Sequence, residues 1–163
     1  MVFQGEVLPI GVLLERARTA PAYEPGAGVG VCHPAANNAA RCAVLLAAGD
    51  TPETCWQFGI LQTLDGYTST LRRGGTALAA QVFADKSAPT GSAQLEAAFA
   101  ALADHLAERD GWTAPAWALH PGRRADGWYP DVPTIFRAEA EQDSPRAFRQ
   151  RGILITGRSL NRA

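Results

Sequence analysis

The sequence predicts a mostly α-helical protein: an irregular bundle of about four to six helices with a Trp/Pro-rich loop and a short C-terminal strand. Three observations support this fold class. Apolar residues recur at intervals of three and four over two long stretches, which is the spacing of a single helix face. Glycine and proline flank these stretches at positions typical of helix starts and stops. Only one short run, residues 153–156, is typical of a β-strand.

The composition indicates a globular protein with enough apolar surface for a core. The chain has 163 residues, 47% of them hydrophobic, and a formal net charge of −1. We therefore expect one helical domain over residues 1–163. A near-neutral chain has no whole-molecule attraction to nucleic acid or to an anionic membrane. No apolar stretch approaches the roughly 20 residues of a membrane span, so we expect a cytoplasmic protein with no membrane partner.

Residues 1–34 are predicted to form a variable N-terminal helix and a glycine- and proline-rich connection. The helix is expected over residues 6–19. Its short apolar face consists of Leu8, Ile10, Val12 and Leu13. The glycine run at residues 26–30 invites comparison with a dinucleotide-binding loop, but it lacks the final glycine spacing and a preceding strand. Nucleotide binding is therefore not indicated.

The predicted helical core, residues 35–111, begins with two helices. The first spans residues 35–48, and Asp50 with Glu53 is typical of a capping box that starts a second helix ending near Arg73. The inward face of the second helix is Trp56, Ile60, Leu61, Leu64, Tyr67 and Leu71. A helix that reads DNA carries basic and polar residues at its start, whereas this one is acidic and apolar. We interpret the pair as an antiparallel hairpin.

Two more helices complete this core. One is short and covers residues 76–86, and the other, over residues 94–109, has the clearest pattern in the chain. Its inward stripe is Leu95, Phe99, Leu102 and Leu106. Its acidic residues are Glu96, Asp104, Glu108 and Asp110. Paired carboxylates can act as general acid and base, but on an exposed helix face they are more often solvated charge.

The cysteines give no clear chemistry. Cys32, Cys42 and Cys55 are odd in number and contain no CxxC pair, which matches neither a disulfide framework nor a zinc site. We expect Cys42 and Cys55 in the core. Cys32 precedes His33 at a predicted helix start, where a thiolate would be stabilised, yet adjacent side chains usually point apart. We assign no catalytic residue, metal or cofactor.

Residues 112–163 form an aromatic- and arginine-rich C-terminal segment. Residues 112–130 predict an ordered irregular loop packed by its own tryptophans. Helices are expected over residues 131–141 and 144–150, each with a capping residue and an early proline, and the short strand at residues 153–156 follows.

This C-terminal segment also carries the candidate binding site. Arg146 and Arg149 share a face of a short helix, and guanidinium groups bind carboxylate or phosphate through two parallel hydrogen bonds. Tryptophan, tyrosine and arginine are the residues that most often supply binding energy at protein interfaces. The predicted partner-binding residues are Trp128, Tyr129, Arg146, Phe148, Arg149 and Arg151. The alternative is that the arginines pair internally with Glu139, Glu141 and Asp143.

Several short motifs resemble a group of poorly characterised actinobacterial proteins. These motifs are Trp56-Gln57-Phe58, Asp65-Gly66-Tyr67, Pro89-Thr90-Gly91, Trp128-Tyr129-Pro130 and the run from Ser144 to Ile155. The resemblance covers about residues 40–163. In many of these proteins the module follows a helix-turn-helix domain, and some accompany a nucleotidyltransferase-like gene in an arrangement resembling a toxin–antitoxin pair. Residues 1–34 contain no helix-turn-helix, so the resemblance implies a partner-binding helical module without DNA binding.

The sequence thus favours a non-catalytic protein-binding module, such as the antitoxin or regulatory member of a two-gene system. A binding module needs no catalytic constellation, and none is recognisable in the sequence. Two alternatives stay open. One is a small enzyme that uses Cys32 or the acidic helix face, and the other binds nucleic acid or a phosphate ligand through the C-terminal arginines.

Overall fold

The computed structural model describes residues 9–19, 30–31 and 33–161, and these residues are mostly α-helical, which confirms the predicted fold class. The α-helices are α1 (Ile10–Thr19), α2 (Ala35–Ala47), α3 (Pro52–Cys55), α4 (Gln62–Ala80), α5 (Ala93–Asp110), α6 (Arg137–Asp143) and α7 (Arg146–Arg149). A π-helix, Trp56–Leu61, joins α3 to α4. Short 3₁₀ helices follow at Gln81–Phe83 and Thr134–Phe136.

Two of the four residues expected to form the apolar face of α1 are exposed. Ile10 and Val12 are exposed, and so is Leu14. Leu8, the side chain of Leu13 and most of the predicted connection, residues 20–29 among them, lie outside the described residues. Of the predicted helix over residues 6–19, Ile10–Thr19 is helical in the described part.

The predicted second helix is a longer and less regular rod than expected. Its cap is Thr51, not Asp50, because the Thr51 hydroxyl accepts a hydrogen bond from the Thr54 backbone amide at 3.2 Å. Gly75 has φ 73° and ψ −175°, which breaks the helix two residues after the predicted end. The rod then resumes as the predicted short helix, which ends in the 3₁₀ turn at Gln81–Phe83.

The π-helix between α3 and α4 packs against α2 and α5. A Cβ at Gly59 would overlap the Cys42 sulfur and touch the Phe99 ring, so only glycine permits this approach. The Thr63 hydroxyl donates to the Gly59 carbonyl one turn earlier at 2.7 Å. Asn38 on α2 donates to that hydroxyl at 2.8 Å, which satisfies a buried polar contact between the helices.

Helix α5 is the central element. Ser92 caps its start, and Gly111, in the left-handed conformation, ends it. The predicted stripe from Leu95 to Leu106 is fully buried. Alanines on its other sides are buried as well, namely Ala97, Ala98, Ala100, Ala101 and Ala103. Because alanine lets neighbouring backbones approach closely, α2, α3, the π-helix, α4 and α7 all pack against α5.

The predicted C-terminal strand is not formed. In the described part of the chain, the only strand-like pairing here is an isolated parallel bridge between Trp128 and Ile153. The Leu154 amide donates to the Trp128 carbonyl and the Trp128 amide to the Gly152 carbonyl, both at 2.8 Å. Ile153 and Ile155 are fully buried, but the facing loop is too irregular to continue a ladder.

Candidate functional site

Two predicted partner-binding aromatics lie in the core. Trp128 packs edge-on against Trp56 with ring centroids 5.8 Å apart, and its indole nitrogen donates to the Glu53 carboxylate at 3.1 Å. Phe148 is fully buried, 6.2 Å from Trp56 and 5.9 Å from His105. Burial lowers the pKa of His105 below its ordinary value. We therefore assign Trp128 and Phe148 to core packing in this conformation.

Arg151 is also an internal residue. Its side chain is 9% exposed, and it donates to the 10% exposed Asp104 carboxylate at 2.8 Å. It also donates to the backbone carbonyls of Ala147 and Ala118 at 2.8 and 2.7 Å. These contacts tie the end of α7 to α5 and to the aromatic loop, which is a structural role.

Arg146 forms a second link to the same carboxylate. Its guanidinium donates to Asp104 at 3.1 Å and to Glu108 at 3.1 and 3.2 Å. The predicted internal partners, Glu139, Glu141 and Asp143, are therefore not the ones used. The reason is geometric: α7 lies against α5, so its arginines face the acidic residues of that helix.

The acidic residues of α5 are all engaged within the fold. Besides Asp104 and Glu108, Glu96 accepts a hydrogen bond from the Thr90 amide at 3.1 Å. Asp110 accepts from Tyr67 at 2.6 Å and from Arg109 at 2.7 and 2.8 Å, and the Arg109 contact lowers the pKa of Asp110. Burial, reinforced by the hydrogen bond to Asp110, raises the pKa of Tyr67 to about 12.

Two of the cysteines are packed inside the helical core as predicted. Cys42 and Cys55 are buried, and burial raises the pKa of Cys42 to about 12. Such a thiol is inert near neutral pH. Cys32 lies outside the described residues, and neighbouring His33 is exposed. Among the described residues, no group of three or more His, Cys, Asp and Glu side chains is placed to hold a metal ion.

The remaining predicted residues lie at the surface. Arg149 is exposed, and its side chain has no hydrogen bond or ion pair with any described residue. Tyr129 is half-buried and donates to Glu141 at 2.8 Å, while the Arg137 guanidinium lies 4.9 Å from the centre of its ring. The Glu141 contact raises the pKa of Tyr129 above its ordinary value. Tyr129 thus anchors α6 to the body of the fold.

A surface that the sequence analysis missed lies beside Tyr129. The 3₁₀ helix Thr134–Phe136 buries none of its residues, and Ile135 is 82% exposed and Phe136 40% exposed. In α6 only Ala140 is buried. We call Tyr129, Ile135, Phe136 and Arg137 the outer face. Two adjacent apolar residues after Pro133 were the available signal, but the sequence pattern predicted only a helix over residues 131–141 there.

The described residues also form two large clefts of different charge. The first, about 550 Å³, is lined by Leu64, Asp65, Thr68, Ser69, Arg72, Arg73, Arg109, Leu160 and Asn161. The second, about 450 Å³, is lined by Leu119, His120, Pro121, Arg123, Arg124, Gln150 and Arg151. The first contains a carboxylate among its arginines, whereas the charged residues lining the second are all arginines.

Comparisons with known proteins add no family to this geometry. No protein-family model, curated protein or solved structure matches the chain. The resemblance to an actinobacterial module therefore stays a prediction. Among the described helices, none is sufficiently long and apolar to cross a membrane.

Proposed function

We propose that this chain is a non-catalytic protein-binding module whose partner contacts the outer face. One observation carries the proposal: Ile135 and Phe136 are exposed on a turn that buries nothing of its own. A large apolar side chain left in water forgoes about 1.5–3 kcal/mol of burial free energy. Adjacent exposed apolar residues with a polar rim are typical of an interaction site.

The contacts around this turn support a preorganised surface. Tyr129 is held by Glu141 through its hydroxyl and by Arg137 through its ring. A side chain that is already fixed loses less conformational entropy when a partner binds. Tyrosine and arginine are also frequent hot-spot residues. The outer face therefore combines apolar anchors with a rigid polar edge.

The charge of α6 favours a partner different from the chain itself. Helix α6 carries Arg137 against three exposed acidic residues, Glu139, Glu141 and Asp143. A second copy of this chain would bring these acidic residues next to each other, which is unfavourable. A partner with an apolar pocket and basic residues around it would complement them. An antitoxin or regulatory member of a two-gene system, acting in the cytoplasm, is the specific form of this proposal.

The two alternatives have less support. Arg146 and Arg151 are neutralised by Asp104 and Glu108, which leaves Arg149 as the free cation of that cluster among the described residues. Nucleic-acid binding through the cluster would therefore be weak. A thiol enzyme would need a reactive Cys32, and iodoacetamide at neutral pH would label it far faster than Cys42 or Cys55.

The experiment is affinity capture from the source organism with matched variants. The wild-type chain and Val44→Ser, which alters an apolar residue that is 69% exposed on α2, should retain a discrete protein partner. The double variant Ile135→Ser with Phe136→Ser should lose it while keeping its circular-dichroism spectrum. Retention of the partner by the folded double variant would contradict the proposal.

A further inference from the structure

Two of the arginines that line the second cleft, Arg123 and Arg151, are buried. Arg123 donates to the Ser87 hydroxyl at 2.7 Å and to the Ser87 carbonyl at 3.3 Å, and its guanidinium lies 5.0 Å from the centre of the Trp117 ring. It forms no ion pair with a described carboxylate, and desolvation lowers its pKa. Arg151 is fixed by Asp104 and two carbonyls. These contacts hold both guanidinium groups in position.

Both buried arginines keep an unused donor. The contacts of Arg123 and Arg151 use their terminal nitrogens, so the Nε–H of each has no partner among the described residues. Every fully buried side-chain nitrogen and oxygen in the described part is hydrogen-bonded. The unpaired Nε atoms must therefore stay accessible to solvent, and both residues line the open cleft.

The other polar residues of the cleft also present donors. Arg124 is exposed, with no hydrogen bond or ion pair to a described residue. His120 Nδ1 accepts from the Gly122 amide at 3.1 Å, which places the imidazole proton on Nε2. The Gln150 carbonyl oxygen accepts from Arg146 at 2.9 Å, which leaves its NH₂ group to donate. The polar side chains that line the cleft therefore present donors, and none of the lining residues is a carboxylate.

We propose that this cleft binds the phosphate group of a small phosphorylated molecule. Among the described residues Arg124 has no ion pair and Arg123 has only the longer-range charge of Glu96, whereas the charge of Arg151 is offset by Asp104. Two cations without a directly paired carboxylate match a dianionic phosphate monoester better than a monoanionic carboxylate. The volume of about 450 Å³ is that of a small-ligand site, and Leu119 and Pro121 give it an apolar wall.

The site is independent of the proposed protein partner, since it uses none of the outer-face residues. It is tested by titrating the ¹⁵N-labelled chain with inorganic phosphate at an ionic strength held constant with sodium chloride. We expect saturable shifts of the Arg123 and Arg151 Nε–H resonances. Arg124→Gln should weaken the affinity about tenfold or more, because it removes a charge-assisted contact. Arg41→Gln, which removes an exposed arginine from α2, should leave the affinity unchanged.

Three outcomes would overturn the proposal. The first is no saturable response to phosphate. The second is an equal loss in Arg124→Gln and Arg41→Gln, which would indicate general charge screening. The third is tight, steeply salt-dependent binding of a single-stranded oligonucleotide without a phosphate response, which would assign the cleft to nucleic acid.

Discussion

The inner layer and the outer face of the C-terminal segment use the same residue types with opposite exposure. We define the inner layer as Trp128, Phe148 and Arg151, which are buried against the helical core. The outer face, built on Tyr129, Ile135, Phe136 and Arg137, exposes its two apolar residues. Aromatic and arginine content therefore does not by itself identify a binding surface. The position of each residue relative to α5 decides its role.

The inner layer shows how an irregular segment stays ordered. Backbone groups outside helices and sheets still need hydrogen-bond partners when they are buried. Here side chains supply them: Trp117 donates to the Phe83 carbonyl at 3.1 Å, and Arg151 donates to the Ala118 carbonyl at 2.7 Å. The Ser144 hydroxyl accepts from the Ile155 amide at 2.7 Å. These side chains supply hydrogen bonds that a β-sheet would otherwise provide.

The largest expected effect comes from removing the carboxylate that holds the inner layer. Asp104→Ala leaves Arg151 buried without its counter-ion, and we expect a loss of about 3–5 kcal/mol in the free energy of unfolding by urea. Glu108→Ala is the matched control. That residue is exposed on the same helix and shares Arg146, so its loss should cost less than about 1 kcal/mol. Equal effects would show that the Asp104 pair is not buried in solution.

Two neighbouring glycines test the close approach within the inner layer. Gly152 and Gly127 both have positive φ, at 70° and 63°, but only a Cβ at Gly152 would overlap the Ala125 carbonyl oxygen. Gly152→Ala should therefore cost about 3 kcal/mol, from backbone strain and the lost pairing with residues 125–128. Gly127→Ala should cost about 1 kcal/mol. Thermal and urea unfolding should both show Gly152→Ala to be the less stable variant. Equal losses in the two variants would contradict the overlap at Gly152.

Two tyrosines extend the comparison to pH. The folded-state pKa of Tyr67 is raised from 10.0 to about 12, so its stabilising contribution is full below pH 10 and is lost as the pH rises towards 12. We expect about 3 kcal/mol from this group, since each pKa unit is worth about 1.4 kcal/mol. Tyr67→Phe should flatten the alkaline fall in stability, whereas Tyr129→Phe at the surface should leave its shape nearly unchanged. An identical alkaline fall in wild type and Tyr67→Phe would contradict this assignment.

The smallest expected effect on stability belongs to the outer face. Ile135→Ser with Phe136→Ser should lower the free energy of unfolding by about 1 kcal/mol, because Ile135 is 82% exposed and Phe136, at 40% exposed, is only partly covered by the fold. Phe148→Ser, in the inner layer, is the contrasting variant and should unfold at much lower urea concentration. A large loss in the double variant would show that the outer face is part of the core.

Local patterns predicted most of the helices but not the roles of the arginines. Leu95, Phe99 and Leu102 could be placed in the core because helix periodicity is a property of neighbouring residues. The burial of Arg151 depends on Asp104, a contact between residues far apart in the chain, and no local pattern reports it. The strand at residues 153–156 was predicted from its apolar, β-branched residue types, which a buried extended loop shares. The exposure of Ile135 depends on which way the 3₁₀ helix Thr134–Phe136 faces, which is a tertiary property.

Site-specific photocrosslinking in the source organism tests the central claim most directly. A benzophenone amino acid is placed at Phe136 on the outer face, or at exposed Val44 on α2 as the control, and the crosslinked species are resolved by size. The outer-face assignment predicts one discrete heterologous protein captured at position 136 and not at position 44. Capture of the same protein at position 44, or none at position 136, would contradict it.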